Sequence, residues 1–144
     1  MRRISLALIA LAVMAATTVV AQDKKGEEEM MMKPETVQGT IVDMKCYSMM
    51  AENIGDDHMT PKGKMPACAT ACAKMGIPVG ILVSGKDSDD LLVIITPSSA
   101  LSDHMAKQAK ITGTKALSGH GIIPDKIMVK SGNKWEEVKI ATMM

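Results

Sequence analysis

The chain has 144 residues, a formal net charge of +1, one tryptophan, one tyrosine and no phenylalanine. It therefore lacks the basic groove and the stacking aromatic side chains with which proteins bind single-stranded nucleic acid, and we exclude nucleic acid as a partner. Its 15 methionines either fill an aliphatic core or offer thioether ligands to a soft metal ion such as Cu(I).

Residues 1–21 are typical of a secretory signal peptide. Arg2 and Arg3 form a positive region, an apolar run follows, and Ala21 ends a small-residue cleavage site. The apolar run is shorter than the ~20 residues that a membrane span requires. We therefore expect Sec-type export, cleavage after Ala21, no membrane anchor after cleavage, and a periplasmic or secreted protein.

A charged leader and a single domain follow the signal peptide. Residues 22–35 have no apolar periodicity, which predicts a disordered leader. Residues 36–144 then form the expected domain. It opens with a strand-like run at residues 37–42 and continues into a long polar loop at residues 47–64, and loops of this length are usually functional or mobile.

Sulfur-containing residues at helical spacing follow this loop. Consecutive members are three, four and three residues apart, which would place all of them on one face of a helix near residues 65–76. Pro66 suits the first turn of such a helix and Gly76 its end. The row consists of Met65, Cys68, Cys72 and Met75.

The rest of the chain predicts strands with one more helix. A capped segment with Leu101, Met105 and Ala109 at spacings of four predicts a short helix near residues 99–110. A helix between the third and fourth strands of a five-stranded Greek-key barrel is the OB arrangement. We therefore predict a mainly β fold, a small OB-like Greek-key β-barrel with two short helices. The remaining strand-like runs are residues 78–83, 91–96, 111–115, 127–130 and 135–140, with a polar hairpin turn at residues 84–90.

Two segments resemble a family of small exported bacterial domains of largely uncharacterised function. They read Gly39-Thr-Ile-Val-Asp-Met-Lys-Cys-Tyr47 and Cys68-Ala-Thr-Ala-Cys-Ala-Lys-Met-Gly-Ile-Pro-Val-Gly80. The family pattern is G-x-x-V-D-x-x-C-Y, a loop, C-A-x-x-C and G-x-P, and the resemblance covers residues 37–140. It implies an OB-like domain with an important set of cysteines and no established reaction. Many members carry a histidine three residues before the second cysteine, where this chain has Met65.

The three cysteines are open to three interpretations. The first is a disulfide from Cys46 to the sulfur-bearing helix, which suits an exported protein and would contribute about 3 kcal/mol by closing a loop of ~20–25 residues. The second is a metal site, with Met65, Met75 or His58 as a fourth ligand beside three thiolates. The third is thiol redox activity, although the spacing C-x-x-x-C differs from the C-x-x-C of thioredoxin-like enzymes. The cysteines are Cys46, Cys68 and Cys72.

These patterns lead to a functional hypothesis. We expect a small exported monomer that is a binding domain rather than an enzyme, with a metal ion or an envelope protein as its partner. Its most concrete form is soft-metal binding through the Cys/Met cluster, with Cu(I) favoured over Zn. The alternatives are a disulfide-stapled envelope module that binds a protein or small molecule without metal, and a thiol redox protein.

Overall fold

The computed structural model describes residues 33–83 and 90–140. The expected signal peptide, residues 22–32 of the expected leader, and residues 84–89 of the expected hairpin turn lie outside this part of the chain. Within the described ranges, no helix has both the length and the apolar character needed to cross a membrane.

The described part of the chain is mainly β. Two short α-helices, α1 (Met44–Met49) and α2 (Cys68–Lys74), and two 3₁₀ helices, Ser98–His104 and Leu117–Gly119, interrupt the strands. The strands are β1 (Pro34–Asp43), β2 (His58–Thr60), β3 (Gly63–Met65), β4 (Val79–Val83), β5 (Asp90–Ile94), β6 (Gln108–Ala116), β7 (Gly121–Ser131) and β8 (Lys134–Val138).

Five strands close into a barrel. β1 pairs antiparallel with β4 and β6, β4 pairs with β5, and β6 pairs with β7. A parallel pairing of β5 with β7 completes the ring, while β8 extends the sheet beyond β7. The 3₁₀ helix Ser98–His104 lies between the third and fourth barrel strands. This is the OB arrangement, and it confirms the predicted mainly β, barrel-like fold.

The barrel encloses an aliphatic core. Ile41, Ile81 and Ile111 are fully buried on three adjacent strands. Gly39 lies where β1 is paired on both sides, and a Cβ there would come within 2.1 Å of the carbonyl oxygen of Leu82. Only glycine permits this close approach of two backbones.

Three element boundaries differ from the sequence-based expectations. β1 begins at Pro34, so the last two residues of the expected leader, through Glu35, belong to the barrel. The helix expected near residues 99–110 is a 3₁₀ helix that ends at His104, and β6 begins at Gln108. The helix ends there because the backbone N–H of Ala106 donates a hydrogen bond to the carbonyl oxygen of Ile41, which holds the chain against β1. α1 and the β2–β3 hairpin overlap residues 47–64, which were expected to be a loop throughout.

The predicted face of four sulfurs on one helix is wrong at its first member. α2 runs over Cys68–Lys74, whereas Met65 is the last residue of β3. The reason is Pro66, because a residue that precedes proline is disfavoured in the α conformation. Ala67 then adopts a left-handed conformation with φ of 49° before the helix starts.

Candidate metal centre

The centre begins where β1 ends. Asp43 closes β1 and caps α1, since its Oδ1 accepts a hydrogen bond of 3.0 Å from the backbone N–H of Lys45. Aspartate is among the preferred N-cap residues because its carboxylate satisfies amides that have no partner inside the helix. Cys46 follows three residues later and is buried, so it shares a helix face with Asp43.

A buried asparagine ties α1 to the β2–β3 hairpin. The Asn53 side-chain amide donates to the carbonyl oxygens of Cys46 at 3.3 Å and Met59 at 3.2 Å. Its Oδ1 accepts from the Met59 N–H at 2.9 Å. These bonds fix the start of β2 and thereby place His58 against α1.

Two loop aspartates cap α2 from outside the helix. Asp56 Oδ1 accepts from the N–H of Thr70 at 2.8 Å, and Asp57 Oδ1 accepts from the N–H of Ala67 at 2.9 Å. The bond from Ala67, with help from the neighbouring Lys64 ammonium, lowers the pKa of Asp57. The loop that carries His58 therefore also anchors the start of α2, where Cys68 is the first helical residue.

Four buried side chains converge from these elements. Asp43, Cys46, His58 and Cys68 each offer one ligand atom, and these atoms all lie within 4.8 Å of one another. The Sγ atoms of Cys46 and Cys68 are 3.9 Å apart. His58 Nδ1 lies 3.8 Å from Asp43 Oδ2. We call these four residues the buried centre.

The tautomer of His58 leaves a lone pair facing the centre. His58 Nε2 lies 2.9 Å from the carbonyl oxygen of Gly55, and a carbonyl only accepts, so Nε2 carries the proton. In a neutral imidazole, Nδ1 is then the unprotonated nitrogen. Within the described residues, neither His58 Nδ1 nor Asp43 Oδ2 has a hydrogen-bond partner, although both are buried. Buried polar atoms without partners are rare in proteins and require an explanation.

The surroundings of two of the thiols, those of Cys46 and Cys72, disfavour the thiolate form. Burial, together with the nearby Asp43 carboxylate, raises the pKa of the Cys46 thiol to about 12 and that of Cys72 to about 11. Reactive cysteines have a lowered pKa instead, since the thiolate is the nucleophile. This environment therefore opposes the thiol redox interpretation.

The structure places the six predicted ligands in different surroundings. Cys46, Cys68 and His58 meet in the buried centre, and Cys72 packs in the same buried cysteine cluster together with Ile77. The three cysteines are free thiols in the described part of the chain, so the predicted disulfide from Cys46 is not present. The two predicted methionine ligands, Met65 and Met75, have solvent-exposed side chains.

Asp43 is the site residue that sequence reasoning missed. It ends an apolar strand and precedes Cys46 by three residues, a pattern equally expected of an ordinary helix cap. The available signal was the spacing D-x-x-C directly after a buried strand. A carboxylate there is carried into the interior by the strand instead of standing at the surface.

Comparison with known proteins gives no match: no family model, no curated protein and no solved structure matches this chain. A proposal for the function must therefore rest on the donor atoms of the buried centre.

Proposed function

We propose that this protein is a metal-binding domain whose buried centre holds one divalent ion of borderline softness, Zn²⁺. The observation that carries the proposal is the pair of unpartnered buried atoms, Asp43 Oδ2 and His58 Nδ1, beside the two thiols of Cys46 and Cys68. A cation between these four atoms would give each of them a partner.

The donor set and its spacing suit zinc. Zn²⁺ binds cysteine sulfur, histidine nitrogen and aspartate oxygen in tetrahedral geometry, and Zn–S bonds of ~2.3 Å place two sulfurs ~3.8 Å apart. The Sγ atoms of Cys46 and Cys68 are 3.9 Å apart. The hydrogen bond from His58 to Gly55 is the outer contact that commonly orients a metal-bound imidazole.

The electrostatics of the centre also favour a bound cation. The Asp43 carboxylate is buried, and His58 Nδ1 lies 3.8 Å from its Oδ2. A buried charge without a charged partner is costly. A divalent ion supplies the positive charge and stabilises the thiolates that form when the two thiols release their protons on binding.

A centre of this kind serves binding and structure. Its four donors come from the end of β1, α1, β2 and α2, so one ion joins these elements at one end of the barrel. Four protein ligands complete a tetrahedral shell, whereas catalytic zinc sites keep one position for water or substrate. The binding role expected from the sequence therefore remains our proposal.

Copper is the second candidate, and Cys72 is the observation that favours it. A third buried thiol beside Cys46 and Cys68 offers Cu(I) an all-sulfur site, and soft thiolate ligands select Cu(I). The copper proposal is strengthened if the chain is exported, as residues 1–21 predict. In this version Asp43 and His58 are neighbours of the ion and not its ligands.

Metal competition with matched variants tests the proposal. Metal-free protein, reduced during purification, is titrated with Zn²⁺ against a chromophoric chelator. Asp43→Asn keeps a cap for α1 but loses the carboxylate, and His58→Gln loses the imidazole; each should weaken Zn²⁺ binding by at least about tenfold. Zn²⁺ binding at parental strength in both variants would contradict the four-ligand site.

Two further variants complete the design. His120→Ala removes an exposed histidine and should leave Zn²⁺ binding unchanged. Cys72→Ser should also leave Zn²⁺ binding unchanged. If Cys72→Ser instead weakens Cu(I) binding in a parallel competition, while Asp43→Asn does not, copper is the occupant of this site.

A further inference from the structure

We infer that three exposed methionines, each adjacent to a buried cysteine or to His58, are the first ligands of a soft monovalent ion, Cu(I) or Ag(I), which then passes to the buried thiols. We call Met49, Met65 and Met75 the methionine rim. Binding of the ion by the rim stands independently of the buried centre. Only the transfer step rests on the copper binding by the three thiols that is proposed above as the second candidate.

The rim methionines are exposed to a degree that core packing does not explain. The exposed fractions are 63% for Met49, 48% for Met65 and 73% for Met75. A methionine that fills a gap in a core is buried, as Met105 is. These three side chains are instead exposed to solvent.

Two rim residues lie one helical turn from a buried cysteine. Met49 ends α1 three residues after Cys46, and Met75 caps the end of α2 three residues after Cys72. Residues three apart are neighbours on one face of a helix. Each of these helices therefore carries a buried thiol and, beside it, an exposed thioether.

The third rim residue lies across the hairpin from the imidazole. Met65 on β3 is the direct cross-strand partner of His58 on β2. Directly opposed residues of an antiparallel pair share a face of the sheet. Met59 is also exposed, at 52%, but it follows His58 in the strand and so occupies the opposite face. The hairpin thus supplies both a rim methionine and a matched control.

Thioether chemistry selects the ion. A thioether is a soft, neutral ligand that suits Cu(I), whereas Zn²⁺ in proteins is bound by thiolate, imidazole and carboxylate. Transfer is a ligand exchange: a thioether–metal bond breaks, a thiolate–metal bond forms, and the thiol proton leaves to solvent. The oxidation state of the metal does not change, and no other reactant is consumed. The recipient thiols are Cys46, Cys68 and Cys72.

Methyl NMR tests the binding step directly. Protein labelled with carbon-13 at the methionine methyl groups is mixed with less than one equivalent of Ag⁺. We expect the methyl signals of Met49, Met65 and Met75 to shift, and those of Met59 and Met105 to stay in place. Equal shifts at Met59 and the rim, or no shift at the rim, would overturn the inference.

Loading kinetics test the transfer step. The triple variant Met49→Leu, Met65→Leu, Met75→Leu keeps side-chain volume and apolar character, so its fold should be preserved. We expect Cu(I) to reach the buried thiols about tenfold more slowly than in the parent, with Zn²⁺ affinity unchanged. Met59→Leu should load at the parental rate. Equal rates in the triple variant and the parent would refute the transfer.

The two proposals can fail separately. If Ag⁺ shifts the rim methyl signals but Asp43→Asn binds Zn²⁺ as tightly as the parent does, the methionine rim is supported and the four-ligand centre is refuted. If Asp43→Asn binds Zn²⁺ more weakly but Ag⁺ does not shift the rim methyl signals, the four-ligand centre is supported and the methionine rim is refuted.

Discussion

α2 separates two buried regions of very different character. Ala69 and Ala73 face the aliphatic barrel core, whereas Cys68 and Cys72 face the cysteine cluster next to the buried centre. The core is assembled from side chains that need no partner other than one another. The centre contains a carboxylate and an imidazole whose buried atoms lack partners within the described residues.

The stabilities of the two regions therefore have different physical origins. The stability of the core follows from apolar area removed from water, which no ligand changes. The stability of the centre depends on whether a cation is bound, because an ion that binds only the folded chain adds to the free energy of unfolding. Adding metal should therefore change the stability that the buried centre contributes and leave the contribution of the core unchanged.

The largest effect should come from the core and be independent of metal. Ile111 is fully buried, and Ile111→Ala should lower the free energy of unfolding by about 2–5 kcal/mol, because it leaves a cavity. Ile123 is 48% exposed, and Ile123→Ala is the control, with an expected change below about 1 kcal/mol. Denaturant unfolding with and without Zn²⁺ measures both. If Ile111→Ala lowers the free energy of unfolding only when metal is present, the stability of the core is not independent of metal.

The next effect belongs to the centre and should depend on metal. Zn²⁺ at 100 times its dissociation constant should stabilise the parent by about 2.7 kcal/mol, and Asp43→Asn, which should bind at least about tenfold more weakly, should lose about half of that gain or more. Without metal, Asp43→Asn should be as stable as the parent or more stable, because it removes a buried charge and keeps the cap for α1. Thermal unfolding in chelator and in Zn²⁺ measures both. A metal-free variant less stable by more than about 2 kcal/mol would show that the carboxylate has a structural role.

Asn53 should have a smaller effect on stability. Asn53→Ala leaves the carbonyls of Cys46 and Met59 without their side-chain donor, which should cost about 1–3 kcal/mol. Loosening the hairpin should also weaken Zn²⁺ binding. Asn133→Ala, in an exposed turn, is the control. Unchanged metal affinity in Asn53→Ala would show that His58 is held by other contacts.

The smallest effect should come from the surface ion pair of the same hairpin. Lys64 Nζ lies 3.0 Å from Asp57 Oδ2, and both side chains are substantially exposed. Solvent screening should keep the loss in Lys64→Ala smaller than the loss in Asn53→Ala, measured by denaturant unfolding. A larger loss would mean that this pair, rather than Asn53, holds the hairpin.

The barrel was predictable from sequence because its strands carry a local signal. Aliphatic runs between polar turns mark most of the barrel strands, and the interposed short helix indicates the OB order. The segment around Leu101, Met105 and Ala109 shows the limit of this method. All three are buried as the spacing predicts, but the first lies in a 3₁₀ helix and the last in β6, and apolar spacing alone does not separate these conformations.

The site was predictable only in part because its donors are joined by long-range contacts. The cysteines and His58 stand out by residue type. Asp43 becomes a ligand candidate only when β1, α1 and the hairpin are seen to meet, and its local role as a helix cap conceals it. The helical spacing predicts that Met65 belongs to the helix, yet Pro66 keeps it in an extended strand.

The ligand shell of bound metal tests the central claim most directly. X-ray absorption at the zinc edge of Zn²⁺-loaded protein counts the sulfur and the nitrogen or oxygen neighbours of the ion. We expect two sulfurs at ~2.3 Å and two lighter ligands at ~2.0–2.2 Å, supplied by Cys46, Cys68, His58 and Asp43. A shell of three or more sulfurs, or one without sulfur, would contradict this assignment of the buried centre.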